Sequence, residues 1–583
     1  MPSAEAAAVP ALRLQVGQHS ERGTHARNQD CHGAFVPQGH GLIAKGAAFA
    51  IADGIGSSPV SHLASEIAVT SVLEDYFSTP DTWSVKKSAQ RVIAATNAWL
   101  HAQSRQAGHV GLQRDQAHAC TLSLLVLQSA TAHVFQVGDA GVYRVRQGQL
   151  DTLSTAHRVQ VDGRPVLTRV LGTEPHVELD YQTAPLAVGD VFVLMTDGVH
   201  EHVSEASVCA ALAHAELDDA QALDRLARQW VSQARAAGST DDATVQLVRV
   251  LALPVPSAAD MRLFTGLPPC PPVLAVGQQL DGYTVLAQLH ASSRSHVYLV
   301  ADERGARAVM KIPSLDGRQD PAYLERLLLE DWFARRIASA HVVRSLPGPP
   351  VKSHLYVLSE HVAGITLTQW MREHPRPTLD AVRAIVEQVA RGLQAMHRQD
   401  ILHRDLRPDN ILIDEAGRVH IIDLGSAKAL GLDRALDATE PLGGMGTLAF
   451  SAPELFLGQA ASVQSDQYAL AAIAYQMLSG RLPYGTQAAR TRSRAEQARL
   501  RYAPVVQDDR DLPVWIDDTL ARGLHPDPAM RFGELSEFVQ ALRMPSVAAA
   551  PQRLPLVARH PVAFWQGLCV VLLLALLGSL ARG

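Results

Sequence analysis

A chain of 583 residues and 62.8 kDa exceeds what one hydrophobic core fills, so about three or four domains are expected. At 47% hydrophobic and 19% charged, with 40 glycines and 33 prolines, it is excluded from the disordered, collagen-like and coiled-coil classes. A net charge of -6 offers no basic field for nucleic acid, and the five cysteines, scattered without CxxC spacing, exclude a disulfide scaffold or a zinc site.

The N-terminal MPSAEAAAVPALRLQVG lacks the charged segment and apolar run of a signal peptide. An apolar run then ends in Asp53-Gly54, and Val69, Val72, Leu73, Tyr76 and Phe77 follow at the spacing of one helix face. LSLLVLQ, AHVFQV and GVYRVRQ read as short strands joined by tight turns, and VFVLM and ATVQLVRV add two more. This is an α+β layout built on antiparallel sheet. Asp30 in RNQD, Asp53 in ADG, Asp197 in TDG and Asp241 in STDDAT sit where strands end or turn, beside small or polar residues. Any one of them reads as an ordinary turn, but the ordered set is the oxygen-rich donor set that hard cations need.

The strings ARNQD, FAIADGIGSS, VGDAGVYRV, TRVLG, VLMTDGV and DDATVQLV together resemble the metal-dependent protein phosphatases of the PPM/PP2C family, across residues 12–250. The resemblance implies a β-sandwich flanked by helices and two or three Mn²⁺ or Mg²⁺ ions. Asp53 would bridge two metals, Gly54 would offer its carbonyl, and Asp30, Asp197 and Asp241 would complete the cluster. Asp139 in VGDAG matches a position that helps hold a third metal in bacterial members. The family places a phosphate-binding Arg five residues before the first Asp; here that position is His25, with Arg27 two residues on. Asp242 stands where Asn is common, a variant familiar among bacterial members.

The proline-rich stretch 251–279 reads as a linker. After it, ARAVMKI reads as a strand carrying Lys311, a cation placed to meet phosphates. HRDLRPDN, IIDLGSAK and APE follow in fixed order, and across 280–545 these strings resemble the bilobal eukaryotic-type protein kinases. By that resemblance Asp405 accepts the substrate hydroxyl proton, Asn410 and Asp423 hold Mg²⁺ on ATP, and Lys311 binds phosphates and pairs with Glu330, Glu325 being the second choice. Arg407 replaces the usual Lys, keeping a cation for the transferred phosphate, while Pro408 favours serine/threonine specificity. Arg404 points to control by activation-segment phosphorylation, with Thr439 and Thr447 as acceptors. Asp466 and the pair Glu454 and Arg531 match structural polar positions. The phosphate-covering loop departs from the family: His290, Ser292 and Ser295 occupy its three glycine positions, where glycine permits close backbone approach.

After a second linker, 546–561, the segment 562–581 is twenty residues without charge, the length of a membrane-spanning helix. The arginines around it place the bulk of the chain in the cytoplasm. The whole reads as a protein serine/threonine phosphatase and kinase acting on phosphoproteins and protein hydroxyls, its own activation segment among them, held on a bacterial inner membrane by a C-terminal anchor. The alternative is a phosphatase regulated by a pseudokinase that binds nucleotide or docks targets.

Overall fold

The computed structural model describes residues 12–544 apart from 56–57, 59, 107–116, 162–163, 215–220, 255–266, 269, 272, 293–294, 316, 350–351, 430–448, 486 and 506–511. Thr439, Thr447 and the apolar stretch 562–581 lie outside the described residues, among which no helix is long and apolar enough to cross a membrane.

The first unit is built on strands β1 (Arg13–Glu21), β2 (Asp30–Phe35), β3 (Ala47–Asp53), β4 (Leu122–Gln128), β5 (Thr131–Val137), β6 (Gly141–Arg146), β7 (Gln149–Thr152), β8 (Arg158–Val161), β9 (Arg164–Leu167), β10 (Asp180–Pro185), β11 (Val191–Met195) and β12 (Ala243–Ala252). Two five-stranded antiparallel sheets result, ordered β1-β12-β11-β6-β7 and β10-β5-β4-β3-β2, with β8 and β9 as a separate hairpin. Period-two alternation explains why β3 is apolar throughout. Ala47, Phe49 and Ile51 enter the core between the sheets, whereas Ala48, Ala50 and Ala52 face a second core under the helices.

Those helices are α2 (Ser61–Ser78) and α3 (Val85–Gln106), preceded by the short α1 (His40–Lys45). On the opposite sheet, α4 (Asp197–His200), α5 (Glu205–His214) and α6 (Ala222–Ala236) cover a third core that takes Val191, Val193 and Met195 of β11, while Phe192 and Leu194 face inward. The layers are thus helix, sheet, sheet, helix, and the apolar strands at the centre are buried on both faces.

The second unit begins earlier than its first strand. Of the stretch 251–279, Cys270 and Leu274 are buried in a core with Val285, Tyr298 and Met310, and the Leu355 amide donates to the Pro268 carbonyl at 2.9 Å. These apolar side chains belong to the sheet that follows, so the linking function is left to the residues before them. That sheet runs in sequential order through β13 (Gln279–Leu280), β14 (Tyr283–Ala291), β15 (Ser295–Ala301), β16 (Arg307–Pro313) and β17 (Val357–Glu360), with helix α7 (Pro321–Arg336) between the last two in the chain.

The larger lobe is helical: α8 (Leu367–Glu373), α9 (Leu379–His397), α10 (Val463–Ser479), α11 (Arg494–Gln497), α12 (Trp515–Gly523) and α13 (Leu535–Arg543). Short strands β18 (Gly364–Thr366), β19 (Ile401–Leu402), β20 (Ile411–Asp414), β21 (Val419–Ile421) and β22 (Lys428–Ala429) carry the loops between the lobes. Helix α9 buries Val382, Val386, Val389, Leu393 and Met396 at helical spacing, while α10 is buried nearly all round, as a central helix must be.

One charged pair lies inside this lobe. Arg531 has no exposed side-chain surface, and its Nη1 and Nη2 donate to Glu454 at 2.9 and 2.6 Å. Its remaining donors reach the carbonyls of His525, Gln464 and Pro526, so the guanidinium fork is fully used. Removing one partner strands the other in the core. Arg531→Ala is therefore expected to cost about 3–5 kcal/mol in chemical unfolding, and Arg531→Met with Glu454→Leu to recover most of that loss.

Candidate active sites

In the first unit β2 and β3 pair so that Asp30 lies directly opposite Asp53. Asp197 opens α4 at the end of β11, and Asp241 precedes β12. Close backbone approach brings these ends together, since a Cβ on Gly198 would lie 2.0 Å from the Asp242 carbonyl oxygen. Burial raises the Asp53 carboxyl well above its usual range, and the charges of Asp30, Asp197 and Asp241 raise it further. Burial also raises the Asp30 and Asp197 carboxyls, helped by the charge of Asp242 for Asp30 and of Asp139, Asp241 and Asp30 for Asp197.

Asp30 Oδ2 accepts hydrogen bonds from Thr196 Oγ1 at 2.9 Å and Thr244 Oγ1 at 2.6 Å. Its Oδ1, like Asp197 Oδ1, is buried and receives no hydrogen bond from any described residue. Orphaned carboxylate oxygens among mutually repelling carboxylates fit hard divalent cations, which prefer such donors. Gly54 lies beside this cluster, its amide donating to the Gln29 carbonyl at 3.1 Å. Asp139 is buried close enough to raise the Asp197 carboxyl, and its own carboxyl is raised mainly by burial. Its carbonyl accepts from His200 Nε2 at 3.2 Å.

The two candidate phosphate cations are placed differently. His25 Nδ1 lies 3.2 Å from Asp242 Oδ2 and 3.5 Å from Asp241 Oδ1, at the edge of the cluster. Arg27 turns toward helix α2, with Nη1 3.1 Å from His62 Nε2. Asp242 organises this loop, because its carboxylate also accepts from the amides of Gly23 and Gln29, each at 2.7 Å. Thr196, Thr244 and the loop-holding part of Asp242 were not assigned from sequence. The signal was present in TDG and DDATV, where each hydroxyl adjoins a cluster aspartate or its strand.

In the second unit Lys311 of β16 reaches Glu330 of α7, with Nζ 2.8 Å from Oε2 and 3.1 Å from Oε1. The same ammonium lies 3.0 Å from Asp423 Oδ1. Glu330, and not Glu325, meets the lysine. Burial alone would depress the Lys311 ammonium, but Asp423 and Glu330 outweigh it and hold it above the ordinary lysine range. Asp423 Oδ1 also accepts from the Gly425 amide at 3.0 Å, and a Cβ there would crowd Asp423, Glu330 and Lys311 at 3.1–3.3 Å.

Asp405 lies on the loop that follows β19. The amides of His403 and Arg404 both donate to the buried Asp466 carboxylate at 2.9 Å, and His397 Nε2 lies 2.8 Å from the same group. With that anchor Arg404 takes a left-handed backbone, φ 66°. Asn410 Nδ2 donates to the Asp405 carbonyl at 2.9 Å and approaches its Oδ2 at 3.3 Å, tying the two residues together. Burial raises the Asp405 carboxyl. Arg407 Nε donates to Asp409 Oδ2 at 3.0 Å.

The two ends of the glycine-free loop, Ser292 after β14 and Ser295 at the start of β15, are joined by hydrogen bonds. Ser292 donates through its amide and hydroxyl to the Ser295 carbonyl at 2.9 and 3.0 Å, and the Ser295 amide donates back to Ser292 Oγ at 3.0 Å. Ser295 is buried, whereas His290 is exposed on β14. The Ser292 hydroxyl thus supplies contacts to Ser295 that a glycine at 292 would lack.

Residues 17–252 match the family described as Protein phosphatase 2C, and residues 283–545 match the family described as Protein kinase domain. The chain joins a protein phosphatase 2C domain to a serine/threonine protein kinase domain. Among curated proteins, the serine/threonine-protein kinase PknA of Mycobacterium tuberculosis is 30% identical over 285 residues, covering 48% of this chain and 64% of its own. A probable serine/threonine-protein kinase, pknA2 of Bifidobacterium longum, is 29% identical over 295 residues, covering 50% of this chain and 37% of its own. The chain therefore spans less than two thirds of the length of these relatives. Among solved structures, the M. tuberculosis serine/threonine phosphatase PstP/Ppp is 18% identical with a TM-score of 0.34, covering 41% of this chain and 99% of its own. PppA of Pseudomonas aeruginosa is 20% identical with a TM-score of 0.35, covering 42% and 100%.

The three acceptor contacts of Asp242 make a simple test. Asp242→Asn places an amide NH₂ against backbone donors, so it should lower stability to chemical unfolding by about 1–3 kcal/mol. It should also raise KM for a phosphopeptide more than it lowers kcat, because the displaced element is the His25 loop.

Proposed function

We propose that the chain is a bifunctional enzyme: its first domain hydrolyses phosphoserine and phosphothreonine, and its second transfers the ATP γ-phosphoryl group to serine or threonine hydroxyls. The observation that carries the kinase half is the assembled Lys311–Glu330–Asp423 cluster beside the tied Asp405–Asn410 pair. The phosphatase half rests on the orphaned oxygens of Asp30 and Asp197 in a cluster whose carboxylates, Asp53 and Asp241 among them, repel one another.

In the phosphatase domain Asp30, Asp53, Asp197 and Asp241 would hold two Mn²⁺ or Mg²⁺ ions, with the Gly54 carbonyl and Asp139 as further oxygen donors. When bound, such ions lower the pKa of a shared water and neutralise phosphoryl charge. The chain's own contribution is rigidity: Thr196 and Thr244 fix Asp30, and the Asp242-held loop sets His25 beside the cluster to meet the phosphate. Water oxygen bonds to phosphorus as the ester oxygen leaves and takes a proton.

In the kinase domain Lys311 orients the ATP phosphates, and Asn410 and Asp423 would hold Mg²⁺. Asp405 accepts the proton of the attacking hydroxyl as its oxygen bonds to the γ-phosphorus and ADP leaves. Arg407 adds positive charge near the transferred group, and His290, Ser292 and Ser295 line the phosphate-covering loop. We propose Thr439 and Thr447 as acceptors, erased by the phosphatase domain at the high effective concentration of one chain. Residues 562–581 would anchor the protein in the membrane with both domains cytoplasmic.

Mn²⁺-dependent hydrolysis of a phosphopeptide should disappear in Asp53→Asn, and equal activity in excess chelator would falsify the phosphatase half. With the phosphatase disabled by Asp53→Asn, labelled ATP should mark the chain, and adding Asp405→Asn should remove the label. Absence of label in the parent, with hydrolysis intact, would leave the second domain a nucleotide-binding or docking regulator. The anchor predicts that the full chain stays with membranes in alkaline carbonate; its release would reject that assignment.

A further inference from the structure

The phosphatase domain touches the kinase domain at the two elements on which the proposed kinase site depends. Helix α7 carries Glu330, and Arg336 ends that helix six positions later, about 9 Å along its axis. The Arg336 guanidinium stacks 4.0 Å over the Trp332 ring and donates through Nη1 to the carbonyl of Pro254, two residues beyond β12 of the phosphatase domain. The Arg336 carbonyl in turn accepts from Gln399 Nε2 at 2.9 Å.

Gln399 lies just before β19 and the loop bearing Asp405, and its carbonyl accepts from Ser129 Oγ at 3.1 Å. Ser129 heads the β4–β5 turn with a left-handed φ of 52°. Beside it, the buried Asp400 lies against Ala130 and Thr131 of the same segment, which partly offset the burial that raises its carboxyl. A continuous path therefore runs from the phosphatase turn through Gln399 to the end of α7 and back to Pro254, two residues after β12. A second contact braces it: Ser84 donates to Glu534, and Lys87 Nζ donates to Glu537 Oε1 at 2.6 Å, at the start of α13.

We propose that the phosphatase domain is the kinase domain's built-in positioning partner, clamping α7 through Arg336 and the catalytic-loop approach through Gln399 so that Glu330 stays on Lys311. The last turn of α7 also packs Phe333 and Ala334 into the kinase domain's own core, so the Arg336 contact adds a polar hold from outside to a helix end already seated on its apolar side. A shift of its last turn moves Glu330, because a helix transmits displacement along its axis as a rigid rod. The inference rests on the kinase reading for its consequence in rate, but the clamp itself is visible without catalysis. Arg336 and Gln399 are positioning residues, and Ser84, Lys87 and Ser129 belong to neither active site.

The test uses the full chain with Asp53→Asn, compared with the same chain carrying Ser84→Ala, Lys87→Ala and Ser129→Gly. Glycine at 129 tolerates the left-handed turn and removes the hydroxymethyl group that makes the contact. Amide hydrogen exchange across 321–336 should quicken about fivefold or more, and label transfer from ATP should fall by a similar factor, the size of a typical coupling between sites. Manganese-dependent hydrolysis by the triple variant without Asp53→Asn should match the unsubstituted chain, which shows that the phosphatase fold is intact. Gln399→Ala, made on the kinase side, should reproduce the faster exchange, while Ser84→Thr with Lys87→Arg retains the donors and should retain the parent's behaviour. Unchanged exchange across 321–336 in both the triple variant and Gln399→Ala would overturn the clamp. A parent that transfers no label would reject the kinase reading instead, and the exchange measurement would still decide the clamp.

Discussion

Asp30 and Asp53 stand opposite each other across two paired strands, and burying neighbouring carboxylates is unfavourable unless protons or cations offset their repulsion. The rest of the phosphatase domain is arranged to hold them there. Three apolar layers fix the strand ends, because β3 and β11 are buried on both faces and cannot shift without opening two cores at once. The hydroxyls of Thr196 and Thr244 take one oxygen of Asp30 and leave the other without a donor. The sandwich thus keeps in place a cluster that its own charges would otherwise disperse.

The kinase domain meets the same difficulty with the opposite device. There four buried or half-buried carboxylates are matched within the chain: Asp466 by two amides and His397, Glu454 by Arg531, and Glu330 and Asp423 by Lys311. Asp466 is central, since its two amide contacts let Arg404 adopt a left-handed backbone and so orient the loop that bears Asp405. Charge compensation within the chain leaves these groups paired, whereas the phosphatase cluster would need cations from solution to offset its charge.

Joining the two domains adds a constraint that neither has alone. The end of α7 and the approach to the catalytic loop are the segments of a kinase fold whose displacement disperses Lys311, Glu330 and Asp405, and both are in contact with phosphatase residues here. A phosphatase that holds a kinase in its working shape while removing phosphate from it would act on rate in both directions, through contact in one case and chemistry in the other.

Much was legible in the sequence because it depends on short-range pattern. Alternation and helical spacing marked β3–β6, β11, β12 and α2, and the ordered aspartates, HRDLRPDN and DLG strings marked both candidate sites and both families. Glu330 over Glu325 required only an interval along the chain. What the tertiary structure decided involves residues far apart in sequence: Thr244 on Asp30, Asp242 on the amides of Gly23 and Gln29, Asp466 under the catalytic loop, and Ser129 on Gln399. The burial of Cys270 and Leu274 in a stretch that reads as linker is of the same kind. Local composition determines which elements form and which side chains can do chemistry, but a hydrogen bond between distant segments exists only once the cores have set those segments side by side, and no periodicity along the chain records it.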